Sequence, residues 1–447
     1  MTEGSLIPKI IAFTIPIILS GVLQQCFNIA DNIVVGRFGA EHSVGAVGSN
    51  TSLINLLVNF FVGLGTGTGI LTARAIGERN AEKASRSIHT AIPAALICGA
   101  FLTLVGIFGS RWILVNVLKT PADILDQATT YLTIYLCGST MSLLYNVGSA
   151  ILRAAGDSKR PLIYITVSGI VNVGLNLIFV IVFHLDVAGV ALATIISQTL
   201  SAVLVMRELL GRNDMCKVVI KKLKIIKYDL LQILRVALPS GITSMLFHFS
   251  NVMVQSTVNT FGSTAVDGLS AATSIEAFAS LFANSFNAAA QNFAAQNIGA
   301  KKKDRVVKSV LYSVLCSFVF GLVSGLTIFA FARPLLGIYL KNSAEKIEYG
   351  VIKMSYLCRT FAISGLMNTM GGGLRGMGAP IVSMIMTLIG ACGLRLVWIY
   401  TVFPHYNTLQ CLYTSYPLSW AVTFVAEFVA FLILLKKFNK KEGSELA

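Results

Sequence analysis

The stretch QQCFNIADNIVVGRFG, residues 24–39, indicates the fold class, because it belongs to a segment that is suited to lipid. It also places an aspartate inside that segment. The stretch belongs to an apolar run that begins near Ile10, and Asp31 lies about two helical turns before this run ends. A carboxylate at that depth costs at least ~2.5 kcal/mol to insert into a bilayer, so it needs a partner, a proton or a cation. Asp31 is therefore the first candidate functional residue.

The composition extends this interpretation to the whole chain. Of the 447 residues, 55% are hydrophobic and 12% are charged, and the mean hydropathy is +0.75. Apolar runs long enough to cross ~30 Å of hydrocarbon recur from one end to the other. The sequence predicts an all-α polytopic membrane protein and not a β-barrel, which would show alternating segments of ~10 residues. The eight cysteines are scattered without a CxxC pair, so we expect neither disulfides nor a metal site.

Twelve apolar segments are predicted to span the membrane, roughly at residues 10–35, 44–72, 88–109, 124–151, 161–184, 188–209, 232–260, 266–296, 307–331, 347–373, 380–403 and 410–435. An even number of spans puts both termini on the same side of the membrane. Most of the 35 Lys and Arg residues fall in loops on that side, which the positive-inside rule identifies as cytoplasmic. We therefore predict cytoplasmic N and C termini in the plasma membrane. The net charge of +15 lies in these short loops, so we expect no nucleic-acid binding.

The basic stretch Arg207–Lys227 divides the chain into halves of six spans, and an internal repeat becomes visible. Shifts of 223, 222 and 219 residues align landmarks of the two halves in order: Pro16 with Pro239, Asn28 with Asn251, Arg153 with Arg375, and Pro161 with Pro380. We predict two six-helix lobes related by a pseudo-two-fold axis along the membrane normal, with the substrate space between them. The predicted domains are an N-terminal lobe (1–210), a cytoplasmic basic linker (211–230), a C-terminal lobe (231–436) and a cytoplasmic tail (437–447).

Prolines and glycines are predicted to shape the helices. Pro16 and Pro239 lie about one turn inside the first and seventh spans, where proline kinks a helix, so both are candidate hinges for alternating access. The glycine run VGLGTGTG (62–69) lies within the second span and indicates close helix packing rather than a phosphate-binding loop. The run GGGLRGMG (371–378) ends the tenth span and predicts a loop or a bend.

Amide side chains in the N-terminal half match Asp31 in depth. Asn172 and Asn176 are four residues apart in the fifth span, so they share one helix face. Asn28, Asn55 and Asn59 are possible supporting polar residues. A carboxylate among amide oxygens suits a hard monovalent cation such as Na⁺, and it equally suits a carboxyl group that takes a proton on burial. The alternative is that these residues only cross-link helices by hydrogen bonds.

The C-terminal half offers three more candidates: Glu276, Arg395 and Glu427. Glu276 and Arg395 match in depth, so we predict a Glu276–Arg395 ion pair. A contact of Glu427 with Arg359 is a weaker expectation. Buried pairs of this kind are as often structural as functional. If Arg395 neutralises Glu276, Asp31 is left as the lone acid of a lobe interior.

At this point the residues resemble those of the multidrug and toxic compound extrusion (MATE) transporters. The resemblance rests on the early proline, Asp31 and FG of the first span, on LRAAGDSKRP (152–161), on FAAQNIGAKKKDR (293–305) and on the Asn-x-x-x-Asn of the fifth span, and it covers essentially the whole chain. It implies a two-lobe antiporter that exports cationic or amphipathic organic compounds, driven by entry of Na⁺ or H⁺, with no other cofactor. The family's coupling aspartate and fifth-span asparagine map onto Asp31 and Asn172. We expect a monomer.

The chain also departs from the family pattern. Many members carry an aspartate where this chain has Asn176, which removes one charge. Some members use acids in the seventh and tenth spans, whereas the seventh span here has Phe247 and His248 in that region. These departures argue against cation coupling in the C-terminal lobe and favour Asp31 as the coupling residue.

Other functions remain as alternatives. The first is a flippase for lipid-linked precursors of the same superfamily, whose cleft should be lined with several arginines for a pyrophosphate, whereas only Arg359 and Arg395 are available here. A membrane-embedded enzyme would need a recognisable catalytic set, and the five histidines lie at no metal-ligand spacing. A channel would favour a ring of identical pore helices over a two-fold repeat. We therefore predict a transporter and not an enzyme.

Overall fold

A computed structural model describes residues 1–38, 43–118, 120–340 and 343–445; within its helices the side chains at 44, 45, 49, 51, 52, 55, 56, 59 and 437–445 are not described. Every element in these ranges is a helix. The α-helices are, in chain order, α1 (Leu6–Phe38), α2 (Ser43–Gly77), α3 (Ala81–Asn116), α4 (Leu125–Cys137), α5 (Ser139–Ala154), α6 (Lys159–Leu177), α7 (Asp186–Gly211), α8 (Lys227–Val258), α9 (Ser263–Gly299), α10 (Lys303–Ala330), α11 (Ala332–Leu340), α12 (Ala344–Leu357), α13 (Phe361–Gly376), α14 (Pro380–Thr387), α15 (Leu394–Thr401), α16 (Phe403–Tyr406) and α17 (Leu409–Glu445).

The twelve predicted spans are confirmed, although four of them are not single α-helices. The fourth span consists of α4 and α5, and the tenth consists of α12 and α13. The fifth continues α6 with a π-helical segment, Ile178–Val182. The eleventh joins α14 to α15 through a second π-helical segment, Leu388–Gly393. In the described part of the chain, eight helical segments are long and apolar enough by themselves to cross a membrane.

The helices form two compact units. The N-terminal unit comprises Ile15–Gly241, and the C-terminal unit comprises Met1–Thr14 together with Ile242–Ala447. Each unit boundary therefore falls inside a helix, α1 or α8, and lies within three residues of Pro16 or Pro239. The start of α1 is thus grouped with the spans of the second repeat, and the start of α8 is grouped with the spans of the first repeat. The domain limits drawn from the loops stay a prediction.

Glycines set the helix spacing in the N-terminal unit. The predicted packing role of the second-span run is confirmed, because Gly65 and Gly69 of α2 lie against Asn146 and Ala150 of α5. The opposite face of α2 is tighter. A Cβ at Gly63 would lie 2.5 Å from the carbonyl oxygen of Ala237 in α8, which is closer than van der Waals contact allows.

The C-terminal unit uses glycine in the same way, and one expectation about it is wrong. The run beginning at Gly371 is helical through Gly376, at the end of α13, and is not a loop or a bend. A Cβ at Gly372 would lie 2.5 Å from the backbone oxygen of Asn287 in α9, so the absent side chains let α13 approach α9. Helix packing therefore overrides the low helix propensity of glycine here.

The predicted basic linker is held against the N-terminal unit. His89 Nε2 of α3 accepts a hydrogen bond from the backbone N–H of Val219 at 2.9 Å, and Arg86 pairs with Asp229 at 3.0 Å. Cys216 of the same linker is 1% exposed and belongs to the buried core of this unit. Burial raises the pKa of the Cys216 thiol to about 12. The linker is thus packed chain and not a free tether.

This packing predicts that Cys216 resists alkylation although it lies in a polar loop. At pH 7.5 its thiolate, the reactive form, is almost absent. Maleimide should label Cys216 at least about a hundredfold more slowly than the engineered thiol of a Cys216→Ala/Lys217→Cys variant, because residue 217 is exposed. Peptide mass spectrometry gives both rates. His89→Ala should speed Cys216 labelling, and equal rates at 216 and 217 would contradict the docked linker.

Candidate functional site

Three predicted residues meet in the N-terminal unit. Asn176 Nδ2 of α6 donates a hydrogen bond to Asp31 Oδ1 of α1, and it also lies 3.3 Å from Asn172 Oδ1. Asn176 is fully buried, Asn172 is 5% exposed, and Asp31 is half-buried. The expectation that depth and helix face bring these side chains together is therefore met by the geometry. We call Asp31, Asn172 and Asn176 the Asp31 cluster.

A glycine allows α1 to approach α6 at this cluster. Phe27 lies one turn before Asp31, and its ring occupies the space where a Cβ at Gly169 of α6 would lie. Gly174, farther along the same helix, has open space at its Cβ position. The contact between Phe27 and Gly169 thus sets the distance at which Asn176 can reach the carboxylate.

The Asp31 cluster has more acceptors than donors. Asn176 Oδ1 is buried and has no hydrogen-bond partner among the described residues. Asp31 adds two carboxylate oxygens, of which Oδ1 receives the Asn176 donor. A buried acceptor is costly when it is left without a donor. A proton on the carboxyl group, or a monovalent cation held by these oxygens, would remove the imbalance.

Two tyrosines that the sequence analysis missed complete the surroundings of Asp31. The rings of Tyr131 and Tyr135 in α4 stack with centroids 6.0 Å apart, and both groups interact electrostatically with Asp31. Tyr135 also hydrogen-bonds Gln198 of α7. Their spacing of four residues, in the outer part of an inward-running span, is the signal that could have found them.

The supporting asparagines are not part of this cluster in the described structure. Asn28 is exposed, one turn before Asp31. Asn55 and Asn59 lie in α2, but their side chains are outside the described residues. Among the described side chains of α2, Asn50 cross-links two helices, because its Nδ2 donates to the backbone oxygen of Ala128 at 3.0 Å. The roles of the three predicted asparagines stay predictions.

In the C-terminal unit, the predicted ion pair of Glu276 with Arg395 is wrong. Glu276 Oε1 lies 3.4 Å from Lys353 Nζ, and Lys353 also donates to Thr273 Oγ1 at 2.5 Å. Thr273 and Glu276 are one turn apart on α9, so both face Lys353 of α12. The prediction did not consider Lys353 as a partner, although it lies within α12 and is 7% exposed.

Arg395 is instead enclosed by aromatic and neutral polar groups. Its guanidinium carbon lies 4.0, 5.1 and 5.9 Å from the ring centroids of Tyr416, Phe247 and Trp420. Its Nε donates to Ser419 Oγ at 3.0 Å, and its Nη1 donates to Asn251 Oδ1 at 3.3 Å. Arg395 is fully buried and lies two residues after the π-helical segment Leu388–Gly393.

The expected contact of Glu427 with Arg359 is also wrong. Glu427 is 1% exposed; Thr387 Oγ1 donates to its Oε1 at 3.3 Å, and its electrostatic partner is Arg375. Arg359 lies over the ring of Phe329, 4.2 Å from the centroid. Arg375 follows the predicted tenth span (347–373), but α13 extends through Gly376 and places Arg375 on the same helix as that span.

Comparison with known proteins decides the family. A family model described as MatE matches residues 16–178 and again residues 239–401. The chain belongs to the MatE family. The two matches are offset by 223 residues at both ends, so the internal repeat is confirmed, and both begin at a predicted hinge proline. Family membership also confirms a transporter and not an enzyme.

Several MatE proteins are similar over nearly their full length. The chain is 26% identical to the probable multidrug resistance protein YoeA of Bacillus subtilis, covering 95% of this chain and 93% of the relative. It is 25% identical to the probable multidrug resistance protein NorM of Thermotoga maritima, covering 87% and 84%. A crystal structure of MATE in complex with MaL6 matches with a TM-score of 0.91 at 22% identity and 98% coverage of both chains. The twelve-helix layout is thus that of MatE transporters.

The approach of α1 to α6 in this MatE chain predicts a matched pair of glycine substitutions. Gly169→Ala should destabilise the protein by about 1–3 kcal/mol, because its Cβ must displace the Phe27 ring. Gly174→Ala, on the same helix with open space, should be neutral or stabilising by up to about 1 kcal/mol. Thermal unfolding in detergent measures both. In a Phe27→Ala background the cost of Gly169→Ala should vanish, and a persisting cost would contradict the contact.

The corrected pairing in the C-terminal unit predicts a difference between two double-mutant cycles. Glu276→Gln combined with Lys353→Met should show a coupling free energy of about 1–3 kcal/mol, because these groups are in contact. The same cycle between Glu276→Gln and Arg395→Gln should give less than about 0.5 kcal/mol. The free energies come from reversible unfolding in mixed micelles. A larger coupling with Arg395 would restore the original pairing.

Proposed function

We propose that the chain is a secondary antiporter of the plasma membrane that exports cationic or amphipathic organic compounds in exchange for H⁺ or Na⁺. The observation that carries the proposal is the Asp31 cluster, with a carboxylate and a buried unpartnered amide oxygen in an apolar span. The names of the relatives, probable multidrug resistance proteins, support organic compounds as the exported class. The protein acts as a monomer with cytoplasmic N and C termini.

The coupling ion is a substrate in this mechanism. When Asp31 is charged and unloaded, the N-terminal unit presents a negative group that an organic cation can neutralise. When a proton or Na⁺ occupies the cluster, that charge is gone, and the oxygens of Asp31 and Asn176 are satisfied. One carboxylate cannot neutralise both cations, so binding of the coupling ion and binding of the organic cation exclude each other at this position. Loading then favours the outward-releasing state through its higher affinity for the ion.

Pro16 and Pro239 serve as hinges in the proposed cycle. Each proline removes a backbone donor from its helix and so weakens the helix locally. Each also lies within three residues of the point where its helix passes from one compact unit to the other. Bending at these positions can change the packing of one unit without breaking the hydrogen-bonded helix on either side.

Asp31→Asn should abolish gradient-driven export. The substitution keeps the size and the hydrogen bond to Asn176 but removes the charge and the proton or Na⁺ site. Efflux of organic cations from proteoliposomes under an imposed pH or Na⁺ gradient should fall at least about tenfold, and the gradient that drives wild-type efflux identifies the ion.

The matched control is Asp267→Asn, which removes an exposed carboxylate of the C-terminal unit that pairs with Lys346 at 2.6 Å. This variant should transport at the wild-type rate, because an exposed ion pair contributes little. Undiminished efflux by Asp31→Asn, with the protein folded in detergent, would overturn the proposed function.

A further inference from the structure

Two buried hydrogen-bond donors without partners lie together in the C-terminal unit. Arg395 Nη2 and Trp420 Nε1 are both buried and have no hydrogen-bond acceptor among the described residues. The guanidinium carbon of Arg395 lies 5.9 Å from the centroid of the Trp420 ring. A buried unpaired donor costs the desolvation of that group, and the cost is larger for a charged one. Two such donors in one place indicate a missing acceptor.

The charge of this region is also unbalanced. Glu276 interacts electrostatically with Arg395, but its contacting partner is Lys353. These three residues therefore carry a net positive charge, and the groups in hydrogen-bond contact with Arg395, Ser419 and Asn251, are neutral. Aromatic rings lower the cost of burying a guanidinium group but supply no formal negative charge. A cation in a membrane-spanning segment is expensive unless it is compensated.

The side chains around Arg395 differ in burial. Arg395, Trp420 and Ser419 are buried, whereas Phe247, Asn251 and Tyr416 are half-buried and form its rim. The π-helical segment just before Arg395 widens the helix by one residue per turn, a feature that often accompanies functional sites.

We propose that Arg395 and Trp420 bind a small anion, either a halide ion or a carboxylate group, in the C-terminal unit. Arg395 Nη2 and Trp420 Nε1 donate to the anion, and Ser419 and Asn251 hold the guanidinium plane. Inorganic chloride and the carboxylate of an organic solute present the same acceptor chemistry to these donors. This site is separate from the Asp31 cluster and does not depend on the proposed cation exchange.

The proposal is tested by anion titration of the full chain in detergent, without transport. The midpoint of thermal unfolding is followed against sodium chloride and, separately, sodium acetate, with the sodium salt of a bulky sulfonate buffer keeping ionic strength constant. A ligand that binds only the folded state raises this midpoint in a saturable way. Saturation with chloride identifies an inorganic anion, and saturation with acetate alone identifies a carboxylate. Saturation with neither overturns the proposal.

Variants assign the anion to the site. Arg395→Gln should lose the saturable rise, whereas Arg359→Gln, which removes an exposed cation stacked on Phe329 in the same unit, should keep it. Trp420→Phe keeps an aromatic ring but removes the N–H, so it should weaken anion binding about tenfold. If Arg395→Gln does not fold, Trp420→Phe is the variant that tests the assignment. An unchanged titration in Arg395→Gln or in Trp420→Phe overturns the assignment.

Fluorescence supplies an independent readout at the same place. The chain has three tryptophans, so a Trp112→Phe/Trp398→Phe variant leaves Trp420 as the sole indole. Iodide bound beside it should quench the emission with saturation, and the anion that stabilises the protein should relieve that quenching. Strictly linear quenching by iodide, unaffected by chloride or acetate, would count against an anion at Trp420.

Discussion

The hydrogen bond between Asn176 and Asp31 is the contact on which the N-terminal unit depends, because it gives a carboxylate in an apolar span its one described donor. The contact exists only because α1 and α6 approach closely, and Gly169 permits this by leaving room for the Phe27 ring. A single donor does not satisfy a carboxylate and the buried oxygen of Asn176. The same packing that holds the acid in place therefore leaves it ready to accept a proton or a cation, so stability and proposed function arise from one arrangement.

The two repeats place opposite charges on equivalent helices. In the N-terminal unit, the first and fifth spans carry Asp31 and Asn176. In the C-terminal unit, Val254 is equivalent to Asp31 at the 223-residue shift, and Arg395 is equivalent to Asn176 at the 219-residue shift that aligns Pro161 with Pro380. The acid is thus replaced by an apolar side chain and the amide by a cation, although both halves match the same family model. This inversion is consistent with the two proposals, a proton or a cation at the Asp31 cluster and an anion at Arg395.

Much of this could be predicted from the sequence, and the failures have a common physical origin. Apolar run length gave all twelve spans, and depth together with the four-residue spacing gave the Asp31 cluster, because a helix has a fixed rise and a fixed side-chain period. The pairings of Glu276 and Glu427 failed because Lys353 and Arg375 were not considered as partners. Both lie on helices, and their long side chains place the charge far from the backbone, so depth along the span does not determine which acid they contact. Tyr131 and Tyr135 were missed because their role depends on how α4 packs, which depth alone does not determine.

Helices α1 and α8 each contribute residues to both units, so a change at one end of such a helix can be transmitted along it to the other unit. Asp31 lies on the part of α1 that follows Pro16 and packs in the N-terminal unit, while Met1–Thr14 packs in the C-terminal unit. That first segment is fixed there, since Arg305 donates to the backbone oxygens of Met1 and Glu3. Under the proposed mechanism, ion binding at one end of a helix acts on a proline-weakened point whose other side is anchored. Under the same mechanism, loss of the Arg305 contacts would loosen that anchor, so the coupling would depend on Arg305 as well as on Asp31.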